Sequence, residues 1–192
     1  MPPKAKITSE MILEAGMKIL REEGADNLNV RKIAALLGCS TQPVMYQFST
    51  VEKLKNALYT KVDEYHSEYL MNFGETNKNP MLGIGLRYIM FAVEEQNFFK
   101  FLFQSNKYTN IDFIQLMNGY DEELSPIYSI LEQEAQITPA QSREAFVSLF
   151  ISAHGLASLM ANNAMIYDED YCVGILKNVF CGVIGRMRGE CE

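Results

Sequence analysis

Thr41 and Gln42 are the residues of this chain whose types and placing point most directly to chemistry. Both follow Ser40, a helix-capping residue type, so they are expected in the first turn of a helix. Glutamine presents a paired donor and acceptor that match N6 and N7 of adenine, and threonine offers a methyl to thymine. Each good pairing discriminates between bases by about 1–3 kcal/mol. Tyr46 and Gln47 follow one turn later, within expected reach of bases or phosphates. Lys53, at the expected start of a further helix, combines a cation with exposed backbone N–H groups, which together favour an anion. Arg31 is a second cation near a helix start, and Lys4 and Lys6 form a short basic arm suited to following a phosphate backbone. The set divides into base readers and phosphate contacts, the two tasks of a duplex-binding surface.

The elements that must position these side chains lie in residues 8–48, which read as three short helices closed by a helix-turn-helix. The first is expected from Thr8 to Glu23, because Ile12, Ala15, Gly16, Ile19 and Leu20 fall on one helical face, and Gly24 stops it. Asn29 caps the second, whose Val30, Ile33, Ala34 and Leu37 repeat the spacing. Counted from Val30, the small Ala34 is fifth, Gly38 ninth and Val44 fifteenth. Ala34 lets two helices cross closely, and Gly38 supplies the left-handed turn that costs a residue with a Cβ about 1–2 kcal/mol. Val44 anchors the third helix, leaving it with Phe48 on the core side. Pro43 is tolerable three places after the Ser40 cap, where its missing N–H has no intrahelical acceptor to lose. Ser49-x-x-Glu52 reads as a capping box for a fourth helix running through Tyr69.

Charge is divided along the chain. Residues 1–61 hold nine Lys/Arg against six Asp/Glu, a net +3, so the remainder of a chain of net charge −7 carries −10. A basic head on an acidic body is expected where only the head meets phosphates. The composition, 48% hydrophobic and 21% charged, is that of an ordinary globular protein. No apolar run reaching the roughly 18–20 residues of a membrane span was found, and MPPKAK leads into no signal-peptide core, so a cytoplasmic protein is expected. Cys39, Cys172, Cys181 and Cys191 show no C-x-x-C pairing and read as reduced thiols.

The expected organisation is all-α in three parts. A helix-turn-helix DNA-binding domain covers 1–55, a connecting helix and linker 56–79, and a helical effector-binding and dimerisation domain 80–192. GETNKNP, 74–80, marks the boundary. Further helices are expected at about 80–96, 97–105, 111–121, 126–135, 139–164 and 168–188, with a break at Ser125-Pro126. In the last two, small or polar residues form a second face beside the apolar stripe: Gly155 and Ser158, then Gly174, Asn178, Cys181, Gly182 and Gly185. Glycine costs about 1 kcal/mol per helix position relative to alanine, so its recurrence points to close approach of another helix. A two-fold four-helix interface is the natural solution, with Phe150 also assigned to it. Tyr88, Phe91, Phe103, Met117, Tyr120, His154 and Asn162 are the candidates for a ligand pocket, which needs apolar walls and a few polar groups; core packing explains the same residues.

ILEAGMKIL, the glycine after it, VRKIAALLGCS, the aromatic and Phe48, and STVEKL together resemble the DNA-binding head of the tetracycline-repressor (TetR) family over about 50 residues. The resemblance departs at Met45, where that family usually places a phosphate-contacting tyrosine; Tyr46 is the next residue. What it implies is an all-helical homodimer on a near-palindromic DNA operator, a transcriptional repressor released by a small-molecule effector, with Thr41, Gln42 and Lys53 on positions that commonly touch DNA. No cofactor is expected.

Two other classes compete. An enzyme is disfavoured because two histidines cannot supply a pair of Glu-x-x-His motifs for a di-metal site. Asp63-x-x-His66 is a single near-match, and Asp168, Glu169 and Asp170 suit a helix N-terminus. No Gly-rich phosphate loop, G-x-S-x-G or H-E-x-x-H occurs. A helical adaptor that has lost DNA binding is the other alternative, motivated by Met45 and the small basic excess.

Overall fold

The computed structural model describes residues 7–72, 79–104 and 121–189, and all the regular structure among them is helical. In chain order the helices are α1 (Ser9–Glu23), a 3-10 turn (Ala25–Asn27), α2 (Val30–Leu36), α3 (Thr41–Phe48), α4 (Val51–Met71), α5 (Pro80–Glu94), α6 (Gln96–Phe103), α7 (Asp121–Ala135), α8 (Pro139–Ala161) and α9 (Glu169–Met187). The helix expected at 111–121 falls almost wholly outside the described residues. The chain divides into two compact units, Met1–Glu68 with Glu95–Ser105, and Tyr69–Glu94 with Asn106–Glu192.

In the first unit α1 buries Ile12, Ala15, Gly16, Ile19 and Leu20, the face its spacing predicts. A Cβ on Gly16 would lie 2.9 Å from both methyls of Leu58, so the absent side chain is what lets α4 pack this closely. The unit is discontinuous, because α6, placed by the sequence with the 80–192 domain, packs here against α1. Its Phe98, Phe99 and Leu102 are fully buried. Phe98 meets Tyr65 edge-on at 5.8 Å and Phe101 meets Tyr59 at 6.0 Å. Glu95 accepts hydrogen bonds from Arg21 Nε and Tyr65 Oη, both at 2.9 Å, and Asn97 donates to the Arg21 carbonyl at 2.8 Å. An amphipathic aromatic helix advertises a buried face; its spacing does not say which core receives it.

In the second unit α8 packs against α5, α7 and α9. A core of Met81, Tyr128, Leu131, Ala135, Ala145, Phe146, Leu149 and Ile184 joins all four. Thr138 and Gln141 form a reciprocal capping box that starts α8 behind Pro139. By length and composition α8, 23 residues long, could cross a membrane, which corrects the expectation that no run would qualify. Its apolarity serves the core instead: Ala145, Phe146, Leu149, Ala153, Leu156, Ala157 and Met160 are all buried in the unit. The break expected at Ser125-Pro126 is also absent, since α7 runs through Pro126. Ser125 and Pro126 are exposed, as is Glu122, whose carbonyl lacks the bond that the proline cannot make, while Tyr128 and Leu131 hold the helix to the core.

Candidate nucleic-acid interface

The helix-turn-helix forms through local rules. Asn29 accepts the Lys32 N–H at 3.0 Å and so caps α2. At the other end Gly38 stands at φ 63, and the turn closes through Gly38 N–H to Ala35 O (3.1 Å) and Cys39 N–H to Ala34 O (2.9 Å). Ile33, Ala34 and Val44 are buried to 0%, 3% and 0% exposure, which fixes the crossing of α2 and α3 and thereby chooses the face α3 presents outward. Ser40 occupies the N-cap of α3 without a side-chain hydrogen bond.

That outward face carries Thr41, Gln42 and Tyr46, all exposed; Tyr46 is 84% exposed, with Gln42 one turn before it. Met45, beside Tyr46, is half-buried. Gln47 turns away from this face: its Nε2 donates to the Ile7 carbonyl at 3.1 Å, across forty residues of sequence. Ser49 ends α3 at φ 61, a conformation incompatible with capping the next helix, and Thr50 takes that role by accepting the Lys53 N–H at 3.1 Å. The box expected at Ser49 is therefore displaced by one residue, and Lys53 offers its exposed ammonium but not its own N–H.

Cations divide into two groups. Lys32 pairs with Glu23, Lys61 with Glu10, and Arg21 with Glu95. The hydrogen bond that Lys61 donates to the Glu10 carboxylate is the main reason that its ammonium is held above its usual range. Among the described residues Arg31 and Lys53 make no ion pair, and both are exposed. Asn29, Val30, Arg31 and Val51 line an open groove of about 400 Å³ that brings the starts of α2 and α4 together. Lys4 and Lys6 lie outside the described residues.

The remaining candidates scatter. Tyr88 and His154 meet in the second unit, where Tyr88 Oη and His154 Nδ1 are 2.8 Å apart. Phe150 stacks on His154 at 5.5 Å and packs against the core, so it belongs to this aromatic cluster more than to an open face. Burial raises the Tyr88 hydroxyl well above its normal range and lowers the His154 imidazole, so at neutral pH the pair is uncharged. Phe91 is fully buried and meets Tyr69 edge-on. Phe103 lies in the first unit against His66 and Phe99. Asn162 is exposed at the C-cap of α8 and donates to the Ser158 carbonyl at 2.8 Å. Met117 and Tyr120 lie outside the described residues.

On α8 and α9, Gly155, Asn178, Cys181 and Gly182 are exposed, and Ser158 and Gly174 are half-buried. Nothing lies within 4 Å of a Cβ built on Gly155, Gly174 or Gly182. Gly185, assigned to the same face by spacing, is buried in the last turn of α9 beside the buried Ile184. The sequence did not single out Ile151 or Leu159, 55% and 47% exposed, or Tyr171, 54% exposed. Ile151 and Leu159 flank Gly155 at four-residue spacing, a signal legible as an apolar stripe of its own.

Among the described residues no group of three or more His, Cys, Asp or Glu side chains could hold a metal ion. Asp168 accepts the Tyr171 N–H at 2.9 Å and so caps α9.

No protein-family model matches the chain, and no curated protein matches it by sequence. Solved structures do match. A TetR-family transcriptional regulator from Streptomyces coelicolor superposes with a TM-score of 0.71 at 15% identity, over 95% of this chain and 83% of that one. A TetR-like transcriptional regulator from Rhodococcus sp. RHA1 gives 0.64 at 14% identity, over 98% of this chain and 100% of that one. At such identities the likeness is one of fold: this is an all-α chain of TetR-like fold, with N-terminal helices in helix-turn-helix order and a C-terminal helical bundle.

Proposed function

We propose that this protein is a dimeric, sequence-specific DNA-binding transcriptional regulator, a repressor that leaves its operator when a small molecule binds the second unit. The observation that carries the reading is the outward face of α3, where Thr41, Gln42 and Tyr46 stand exposed on a helix locked by Val44 and the Gly38 turn. A helix so held fits the major groove, which is about 12 Å wide, with its N-terminal residues at the base edges. Thr41 and Gln42 read bases, and Tyr46 reaches the adjoining base or phosphate. Arg31 and Lys53, at the starts of α2 and α4, contact phosphates and set the register. Both solved structures are described as transcriptional regulators, which supports the reading.

Dimerisation follows from the second unit. The stripe of Ile151, Gly155, Ser158 and Leu159 on α8 and that of Tyr171, Gly174, Asn178, Cys181 and Gly182 on α9 combine exposed apolar surface with room for a neighbouring backbone. A second copy related by a two-fold axis covers both stripes with themselves. The effector's chemistry is left open; Tyr88 and His154 are the polar groups an incoming apolar molecule would find beside Phe150. The reading includes no catalysis; Asp168 serves as the N-cap of α9.

Fluorescence anisotropy on labelled duplex from beside the protein's own gene, against scrambled competitor at two salt concentrations, tests this. Competitor-resistant binding at the higher salt is the expected result. Equal, salt-sensitive binding to both duplexes would leave only the sequence-independent phosphate attraction.

A further inference from the structure

We propose that α3 selects A·T base pairs and that Met45 is a specificity-determining residue within it, covering the 5-methyl of a thymine next to the adenine that Gln42 takes. This rests on the DNA-binding reading, whose half-site it assigns to a chemical class, and it gives Met45 a task where that reading gave it none.

Helix α3 carries no charge: TQPVMYQF, its whole length, holds no Lys, Arg, Asp or Glu. The commonest specific contact to guanine is a cation on O6 and N7, and cytosine N4 is taken by a carboxylate. Neither partner of a G·C pair therefore finds its usual counterpart on this helix. The exposed cations Arg31 and Lys53 stand instead near the starts of α2 and α4, where phosphate contacts need them. For bases α3 offers the Gln42 amide, the Thr41 methyl, the Met45 thioether and the Tyr46 phenol. The amide matches N6 and N7 of adenine, and the methyl and thioether match the one apolar substituent of thymine.

Val44, at 0% exposure, fixes the buried direction of α3. At about 100° per residue Gln42 and Tyr46 lie near the opposite pole, and Met45 lies about 80° to one side of it. Burial agrees with this placing. Gln42 and Tyr46 are exposed and Met45 is half-buried, so part of its side chain is held by the protein and part is open on the flank that Thr41 begins one turn earlier. A helix with its side chains is about 10–12 Å across and the major groove about 12 Å wide, so a flank residue of a seated helix meets the groove and not open water. A tyrosine in this place would carry a hydroxyl to a phosphate oxygen. Methionine has no donor, so its gain comes from apolar contact alone, and the thymine 5-methyl is the one methyl that the four bases show in the major groove. Its unbranched thioether, with three rotatable bonds, adapts to reach that methyl while the helix stays in place.

The test uses the full chain and a duplex that it selects from a random library, with Kd measured by competition at one salt concentration. Each thymine is replaced in turn by deoxyuridine, which pairs alike and lacks only the 5-methyl. Wild type should lose about threefold to fivefold per half-site at a thymine adjoining the adenine position that Gln42→Ala relaxes, the worth of one buried methyl. Met45→Ala should bind the thymine and deoxyuridine duplexes alike, within about twofold, whereas Met45→Leu should keep the discrimination. The wild-type comparison alters only the DNA, so it stands whether or not a Met45 variant folds. Three results would overturn the proposal while leaving a sequence-specific binder: equal wild-type affinity for both duplexes at every thymine beside that adenine, undiminished discrimination by Met45→Ala, or a G·C pair at the position that Gln42→Ala relaxes. A chain that selects no duplex at all would overturn the DNA-binding reading itself, and this assignment with it.

Discussion

Acidification should unfold this protein partly through one buried imidazole, that of His66. The residue sits on α4, 7% exposed, with its ring edge-on to Phe103 at 5.3 Å. Burial disfavours the imidazolium and lowers the pKa from 6.5 to about 4. The unfolded chain therefore binds a proton that the folded chain refuses, and stability falls as pH drops from 6.5 toward 4; above 6.5 the contribution is complete. Linkage sets the size: about 2 kcal/mol lost by pH 5 and about 3 kcal/mol by pH 4. Urea unfolding followed by circular dichroism at pH 7.5, 5 and 4, at one protein concentration, compares wild type with His66→Leu. Carboxylate titration and His154 are common to both, so the difference between the two pH profiles isolates His66. Wild type should lose about 2–3 kcal/mol more than the variant over this range. Parallel profiles, or a wild-type ring resonance titrating near pH 6.5, would refute the reasoning.

Gly38→Ala should cost about 1–2 kcal/mol, measured by denaturant midpoint, because φ 63 penalises any Cβ while nothing crowds it; a larger loss would mean an overlooked steric role. Gln42→Ala should relax base choice at one position of each half-site, whereas Lys53→Ala should weaken all duplexes alike and lower the salt slope by about 1, as competition binding at several salts would show. Uniform weakening by Gln42→Ala would remove its assigned role. Gly155→Glu should leave helicity intact but give monomers in sedimentation velocity, since the open space around Gly155 becomes the approach of a second copy; an undisturbed dimer would place the interface elsewhere.

The head was legible in sequence because its rules are local. Gly38 demands a turn, Asn29 a helix start, and the apolar spacing of Ile12 to Leu20 a buried face, each within a few residues of its consequence. What stayed hidden depended on distant partners. That Thr50 and not Ser49 caps α4 turned on the backbone angle at which α3 ends. The seat of α6 depended on Arg21 and Tyr65, seventy-four and thirty residues away from Glu95 in the chain, meeting one carboxylate. Gln47 looked like a base reader because its own helix does not announce the Ile7 carbonyl. Gly185 has the type and spacing of an interface residue, and only the packing of α9 shows it buried.

The most direct test of the central claim is selection from a random duplex library by the full-length protein at near-physiological salt, with the bound sequences read after several rounds. The expected result is enrichment of an inverted repeat whose half-site centres are separated by one helical turn or a multiple of it, the spacing two recognition helices of a symmetric dimer require. A pool that stays random, retained only at low salt, would contradict it.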